Sequence, residues 1–280
     1  MVAAACDNTT TEQKIAAFDE AVDSITSAYR EEVSRIDADT DKFIEGTQDE
    51  AIEAAYEKAT GDLLALVNKT VRKYPKDTVA LYAIQGSVNL LMDDLTVLEP
   101  AVKAISGPLA ENEFILQVKE AIAQLKETAS GAMFKDFTVD HFTGDDKDGN
   151  PVFTKVSLSD FVGKGKYILL DFWSPWCPPC KKALPTLKNI YEKYHSDNFD
   201  MVSVAVWEES RGMDYRNTVD TAAVYGICWN QMNNGHTEPS ELYGVQYIPY
   251  MFLFAPDGKI IERNLSAEDA DAVIAKALGR

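Results

Sequence analysis

Apolar residues recur at intervals of three and four through roughly the first 130 positions, the spacing of one face of an α-helix. Ile15, Phe18, Val22, Ile25 and Tyr29 form the first series. Thr9-x-x-Glu12 ahead of it fits a capping box, in which a threonine hydroxyl and an acid three residues on satisfy each other's backbone N–H groups. A second series, Ile52, Tyr56, Ala59, Leu63, Leu66 and Val67, runs to Tyr74-Pro75, where proline restricts the residue before it and stops the helix. The pattern then predicts helices over about 78–92 and 96–105, a break at Gly107-Pro108, and a last helix carrying Phe114, Val118, Ile122 and Leu125 toward Gly131. These stripes read as the core faces of a small helical bundle. The alternative is that one stripe stays uncovered as a groove for a partner. No solenoid repeat and no low-complexity tract stands out.

From about residue 132 the pattern changes to strands alternating with helices. Gly144-Asp-Asp-Lys-Asp-Gly-Asn-Pro151 is a polar loop that reads as a hairpin tip. Lys166-Tyr-Ile-Leu-Leu-Asp-Phe172 is a nearly continuous apolar run, as expected of a central strand covered on both faces. A helix is predicted over about 178–195 and a strand over 201–207, followed by a less regular stretch to about 245. Tyr250–Ala255, the turn Asp257-Gly258 and Lys259–Arg263 make a β-hairpin. Ser266 is placed to cap a final helix ending near Leu278. The expected organisation is a tether over 1–10, an all-α domain over 11–131 and an α/β layer domain over 132–280.

Composition narrows the function classes. The 280 residues carry 27 Lys and Arg against 45 Asp and Glu, a formal net charge of −18. The first 130 residues hold 12 basic and 24 acidic side chains, and the remainder hold 15 and 21. Nucleic acid and anionic membrane surfaces both reward clustered Lys and Arg, so neither is expected as a partner. No apolar run reaches the 18 or so residues of a membrane-spanning helix. Four cysteines are too few for a disulfide scaffold.

Two of those cysteines are paired in sequence, in Phe172-Trp-Ser-Pro-Trp-Cys-Pro-Pro-Cys-Lys181, where the apolar strand hands over to a helix. Thiols separated by two residues on a helix's first turn can close a small disulfide ring and reopen it with little backbone movement. Cys177 stands near the helix N-terminus, where unpaired N–H groups and the positive end of the dipole favour a thiolate, the attacking species in exchange. Cys180, a turn inward, is placed to resolve a mixed disulfide. Pro178 and Pro179 lack N–H groups and so withdraw donors from that thiolate, which favours a reducing role. The same spacing also occurs in zinc sites, which need four ligands. Here Cys6 and Cys228 are isolated, and His141, His195 and His236 are scattered along the sequence, so no metal is expected.

The segment Leu170-Asp-Phe-Trp-Ser-Pro-Trp-Cys-Pro-Pro-Cys-Lys-Lys-Ala-Leu-Pro185 resembles the active site of the thioredoxin superfamily. Its Trp-Cys-Pro-Pro-Cys form is similar to the TlpA/ResA-like thiol–disulfide oxidoreductases of bacterial cell envelopes. Val156–Lys164 and Tyr243–Lys259 fit the same pattern, so the resemblance covers about residues 135–280. The helical segments ahead of it look like those of Bacteroidetes-type members. The resemblance implies a thioredoxin fold, a mixed sheet flanked by helices, and a redox-active Cys177–Cys180 disulfide with no other cofactor. It implies that Ile248-Pro249 is a cis-proline pair facing the cysteines. It also implies that Trp176, Pro178, Pro179, Ile248 and Pro249 contact substrate. Asp171 matches a buried acid whose raised pKa would let it exchange a proton with Cys180. Pro185 matches a helix-kinking proline, and Trp173 a packing residue of the cysteine pocket. Members that serve cytochrome c maturation often carry a Glu where this chain has Ala183, so a broader range of clients is expected. Glu208 and Glu209 read as solvated loop carboxylates, the alternative being an acid supplied near the site. Cys228 reads as a small buried apolar residue, the alternative being a regulatory or third redox thiol.

Ala3-Ala-Ala-Cys6 resembles the end of a bacterial lipoprotein signal, with Cys6 as the lipidated residue, although the five residues before Cys6 cannot form its apolar segment. The resulting expectation is a periplasmic or envelope lipoprotein, touching the membrane only through that lipid. It would reduce disulfide-containing client proteins and draw electrons from an upstream membrane thiol–disulfide donor. The alternatives are an oxidase or isomerase running electrons the other way, and a partner-binding lipoprotein whose redox pair is secondary. The helical domain is expected to restrict access to Cys177 or to recruit a client.

Overall fold

The structure, a computed structural model, describes residues 9–39, 47–91, 95–196, 198–232 and 238–280. Cys6 and His236 lie outside the described residues. The chain forms two compact units, Met1–Ile122 and Ala123–Arg280.

In the first unit the described helices are α1 (Thr11–Asp37), α2 (Gln48–Lys73), α3 (Thr78–Leu91), α4 (Leu95–Ala104) and the start of α5 (Glu113–Lys126). α2 stops two residues before Pro75, as its restriction on the preceding residue requires. The cap of α1 differs from expectation by one residue. Thr10 is the N-cap: its hydroxyl accepts from the Gln13 N–H at 3.2 Å, and the Gln13 side chain accepts from the Thr10 N–H at 2.9 Å. Thr9/Glu12 and Thr10/Gln13 are equally good local boxes, so a distant contact decides between them. Asp77 accepts from the Thr11 hydroxyl at 2.8 Å and pairs with Lys14 at 2.7 Å, anchoring the first turn in the register that starts at Thr11. The apolar stripes meet in one core built on Phe18, Val67, Val71, Ile84, Leu98 and Ile115.

The second unit opens with an antiparallel hairpin, β1 (Thr138–Asp145) and β2 (Pro151–Ser157), turning through the polar loop. A five-stranded sheet follows, made of β3 (Tyr167–Trp173), β4 (Phe199–Ala205), β5 (Asn230–Met232), β6 (Tyr250–Phe254) and β7 (Ile260–Leu265). Its spatial order is β5-β4-β3-β6-β7, with β3, β4 and β5 parallel and β6 and β7 antiparallel to their neighbours. Helix α6 (Pro178–Tyr194) connects β3 to β4, and α9 (Ala267–Ala277) ends the chain. Ser266 caps α9, its hydroxyl accepting from the Asp269 N–H at 3.0 Å.

β3 is central and buried from Ile168 to Trp173. Because side chains alternate across a strand, its two faces feed two cores. Leu169 and Trp173 join Met201, Leu253 and the buried faces of α6 and α9. Leu170 and Phe172 join Val202, Phe252 and Tyr243 on the opposite face. The stretch read as irregular holds, among the described residues, a 3-10 turn (Glu209–Arg211), α7 (Tyr215–Tyr225), β5 and α8 (Glu238–Tyr243). Spacing misses them because β5 and α8 are too short to display a period. α7 is instead bounded by its caps, a box between Asp214 and Asn217 and a left-handed Gly226. Among the described residues no helix is long and apolar enough to cross a membrane.

Candidate active site

The C-terminal end of β3 delivers the cysteine pair. After Trp173 the chain turns, and the Cys177 N–H donates to the Ser174 carbonyl at 3.1 Å. Cys177 is then the N-cap of α6, and Pro178 opens the helix, where a missing N–H is tolerated because no partner exists for it within the helix. Cys177 and Cys180 are joined as a disulfide with their Cα atoms 5.3 Å apart. Both are buried, at 2% and 1% exposure. The Cys180 N–H is aimed at the Cys177 sulfur at 3.1 Å. With prolines at the two intervening positions, that N–H is the first-turn backbone donor left to steady a Cys177 thiolate.

Across from α6, the Ile248–Pro249 peptide is cis. The Ile248 carbonyl oxygen lies 3.6 Å from the Cys177 sulfur. Pro179 and Pro249 share a groove of about 340 Å³ with Lys182, Ala183, Tyr247 and Ser266. Pro178 is exposed and lies outside that lining. Trp176 is half-buried, and its indole N–H donates to the Trp207 carbonyl at 3.2 Å. The Arg211 guanidinium sits 4.7 Å from its ring centroid. Asp171 is 1% exposed. Alternation along β3 puts it on the face of Leu169 and Trp173, the face that packs against Cys177 and Cys180. Burial pushes its pKa up to about 7, against a hydrogen bond from the Ser203 hydroxyl at 3.0 Å that acts to lower it.

Residues 130–263 match the model of the AhpC/TSA family. The match falls within the C-terminal unit, whose mixed sheet flanked by helices is a thioredoxin-like fold. Its similar proteins include the thiol-disulfide oxidoreductase ResA of Bacillus subtilis (strain 168), 32% identical over 108 residues. The ResA of Bacillus thuringiensis (strain Al Hakam) is 30% identical over 109 residues. Each match takes in 39% of this chain and 56% and 59% of those relatives' own lengths, respectively. A thioredoxin-like protein from Bacteroides caccae superposes with a TM-score of 0.50 over 81% of this chain and 84% of its own, at 15% identity, a likeness of fold.

Two expectations are corrected within this thioredoxin-like domain. Glu208 is fully buried rather than solvated, and neither carboxylate oxygen has a hydrogen-bond partner. The cause is the turn after β4: Trp207 takes a left-handed backbone (φ 61°), and the next side chain is folded inward. Burial, and then the charges of Asp214 and Glu209, push its pKa up to about 8. Glu209 is exposed, as read from the sequence. Cys228 is exposed rather than buried. It follows the Gly226 cap, and its neighbour Trp229 takes the inward position at 5% exposure.

The structure adds residues that spacing did not single out. Ser203 and Trp229 stand behind Asp171, Arg211 lies over Trp176, and Lys182 and Tyr247 line the groove. Only Ser203 left a local signal, as the polar residue inside the apolar strand Met201-Val-Ser-Val-Ala-Val206.

Proposed function

We propose that this protein is a thiol–disulfide oxidoreductase that reduces disulfides of client proteins through Cys177 and Cys180. The observation that carries the reading is the disulfide at the start of α6, with the Ile248 carbonyl 3.6 Å from the Cys177 sulfur beside an open groove. In the reduced form the Cys177 thiolate attacks one sulfur of the client disulfide. A Cys177–client bond forms, and the first client thiolate leaves and takes a proton from solvent. Asp171 accepts the Cys180 proton, and the Cys180 thiolate attacks the Cys177 sulfur. The second client sulfur leaves as a thiolate and takes a proton from solvent, the enzyme disulfide closes, and Asp171 is left holding the Cys180 proton until the pair is reduced again. Two electrons pass to the client, and a thiol donor must return them. Trp176, Pro178, Pro179, Ile248 and Pro249 form the surface that receives the client segment. Similarity to ResA supports the reaction class, and the two donor-free prolines support the reducing direction. The same reading places the protein outside the cytoplasm, anchored through a lipid on Cys6 and recharged by a membrane thiol–disulfide donor.

The test is the reduction potential of the Cys177–Cys180 couple with Cys6 and Cys228 replaced by serine. A value near that of thioredoxin, about −270 mV, is expected. A value near about −120 mV would make the protein a disulfide-forming oxidant and overturn the direction. Cys180→Ser should in addition accumulate a covalent Cys177–client adduct, and its absence with a reducible client would remove the exchange reading itself.

A further inference from the structure

A buried chain of hydrogen bonds runs behind Asp171. The Trp229 indole N–H donates to the Ser203 hydroxyl oxygen at 2.8 Å, and that hydroxyl meets Asp171 Oδ2 at 3.0 Å. Trp229 is 5% exposed, Ser203 0% and Asp171 1%, so water does not compete at these atoms. The chemistry of the three groups gives the chain a direction. An indole N–H can only donate, so Ser203 accepts from Trp229, and its single hydroxyl proton is left to point at Asp171. Asp171 Oδ1 has no hydrogen-bond partner. One carboxylate oxygen is therefore pinned by a donor and the other is open to take and release a proton.

Three strands build this arrangement. Asp171 on β3 pairs in register with Ser203 on β4 and with Met251 on β6, and the Trp229 side chain comes in from the residue before β5. The titratable groups packed on this face are Cys177 and Cys180 from the start of α6, Tyr191 and Tyr194 farther along it, and Tyr167 at the start of β3. Burial and the Ser203 hydroxyl are the two influences on the acid, and no charged side chain takes part.

We propose that Ser203 and Trp229 are positioning residues that set the proton affinity of Asp171, with Trp229 orienting the Ser203 hydroxyl and Ser203 stabilising the carboxylate. The two act in series. Removing the hydroxyl deletes the whole effect, whereas removing the indole N–H only frees the hydroxyl to rotate. The consequence for catalysis rests on the proton role given to Asp171 above, but the proposal about its titration does not.

The experiment is a ¹³C NMR titration of the Asp171 carboxyl carbon in the oxidised full-length protein, with Asp171→Asn to assign the signal. Ser203→Ala should raise the midpoint by about one unit or more, the loss of one hydrogen bond to a charged group. Trp229→Phe keeps an aromatic ring but not the donor, and it should raise the midpoint by less. The double variant should match Ser203→Ala alone, and Ser203→Thr should restore the wild-type midpoint. An unmoved midpoint in Ser203→Ala overturns the proposal. So does a Trp229→Phe shift of equal size with and without the Ser203 hydroxyl. Should Ser203→Ala fail to fold, an unmoved midpoint in Trp229→Phe would overturn the series arrangement by itself. The pH profile of client reduction separates the two claims. If the midpoint moves and the rate limb does not follow, the relay stands and the proton role of Asp171 falls.

Discussion

Replacing Asp171 with asparagine should stabilise the oxidised protein, and by an amount that depends on pH. The carboxyl titrates at about 7 in the folded chain, against a reference of 3.8. Between those values the folded state holds a proton that the unfolded state has released, so raising the pH through this window favours unfolding. The penalty is absent below about pH 4 and complete above about pH 7. At 1.36 kcal/mol per unit, a shift of roughly three units is worth about 4 kcal/mol. Asparagine has the same shape and bears no charge, and its side-chain oxygen can still accept from Ser203. The stability gain of Asp171→Asn over the wild type should thus grow from near zero at pH 4 to about 4 kcal/mol at pH 8.5. Urea unfolding at the two pH values measures this directly. All four tryptophans, Trp173, Trp176, Trp207 and Trp229, lie in the C-terminal unit, so fluorescence follows that unit alone. The disulfide keeps both cysteines from titrating. Stability curves that run parallel from pH 4 to 8.5 would show that Asp171 pays no burial penalty and would refute the reasoning.

Glu208 has the same sign in a higher window. Its folded pKa of about 8 exceeds the reference 4.5, so its contribution to stability declines as pH rises from about 4.5 through 8. Glu208→Gln should gain several kcal/mol at pH 9 and almost nothing at pH 4, and equal slopes of stability against pH in the two proteins would refute it. Gly258→Ala should lose about 1–3 kcal/mol, because that backbone has φ 89° and a Cβ would stand 2.8 Å from Phe134 Cδ1. Gly149→Ala is the control, with φ 82° and open space around it. Equal losses at the two positions would show that contact with Phe134 contributes nothing.

Neighbouring residues carried most of the element types. The three/four spacing of Ile15 to Tyr29, the stop at Pro75 and the apolar run from Tyr167 to Trp173 each reflect a period that adjacent side chains display without reference to the rest of the chain. The placement of Cys177 at a helix start is local in the same sense, since a strand, a turn and two prolines determine it. The burial of Asp171 was implied by the resemblance to thioredoxins, and the structure leaves it 1% exposed.

Tertiary structure decided what stands around those residues. Cys177 and Ile248 are 71 positions apart, Asp171 and Ser203 are 32 apart, and Ser203 and Trp229 are 26 apart. Which residues meet across such separations depends on strand order and register. A shift of one residue in β4 would turn Ser203 to the other face and leave Asp171 without its donor. The burial of Glu208 likewise depends on a left-handed backbone at Trp207, a conformation that the side chain itself disfavours and only the surrounding fold imposes. The amino-acid sequence thus determined the elements and the reactive pair, because both are written in the spacing of neighbours. The proton environment of the pair was decided only when β3, β4 and β6 came into register.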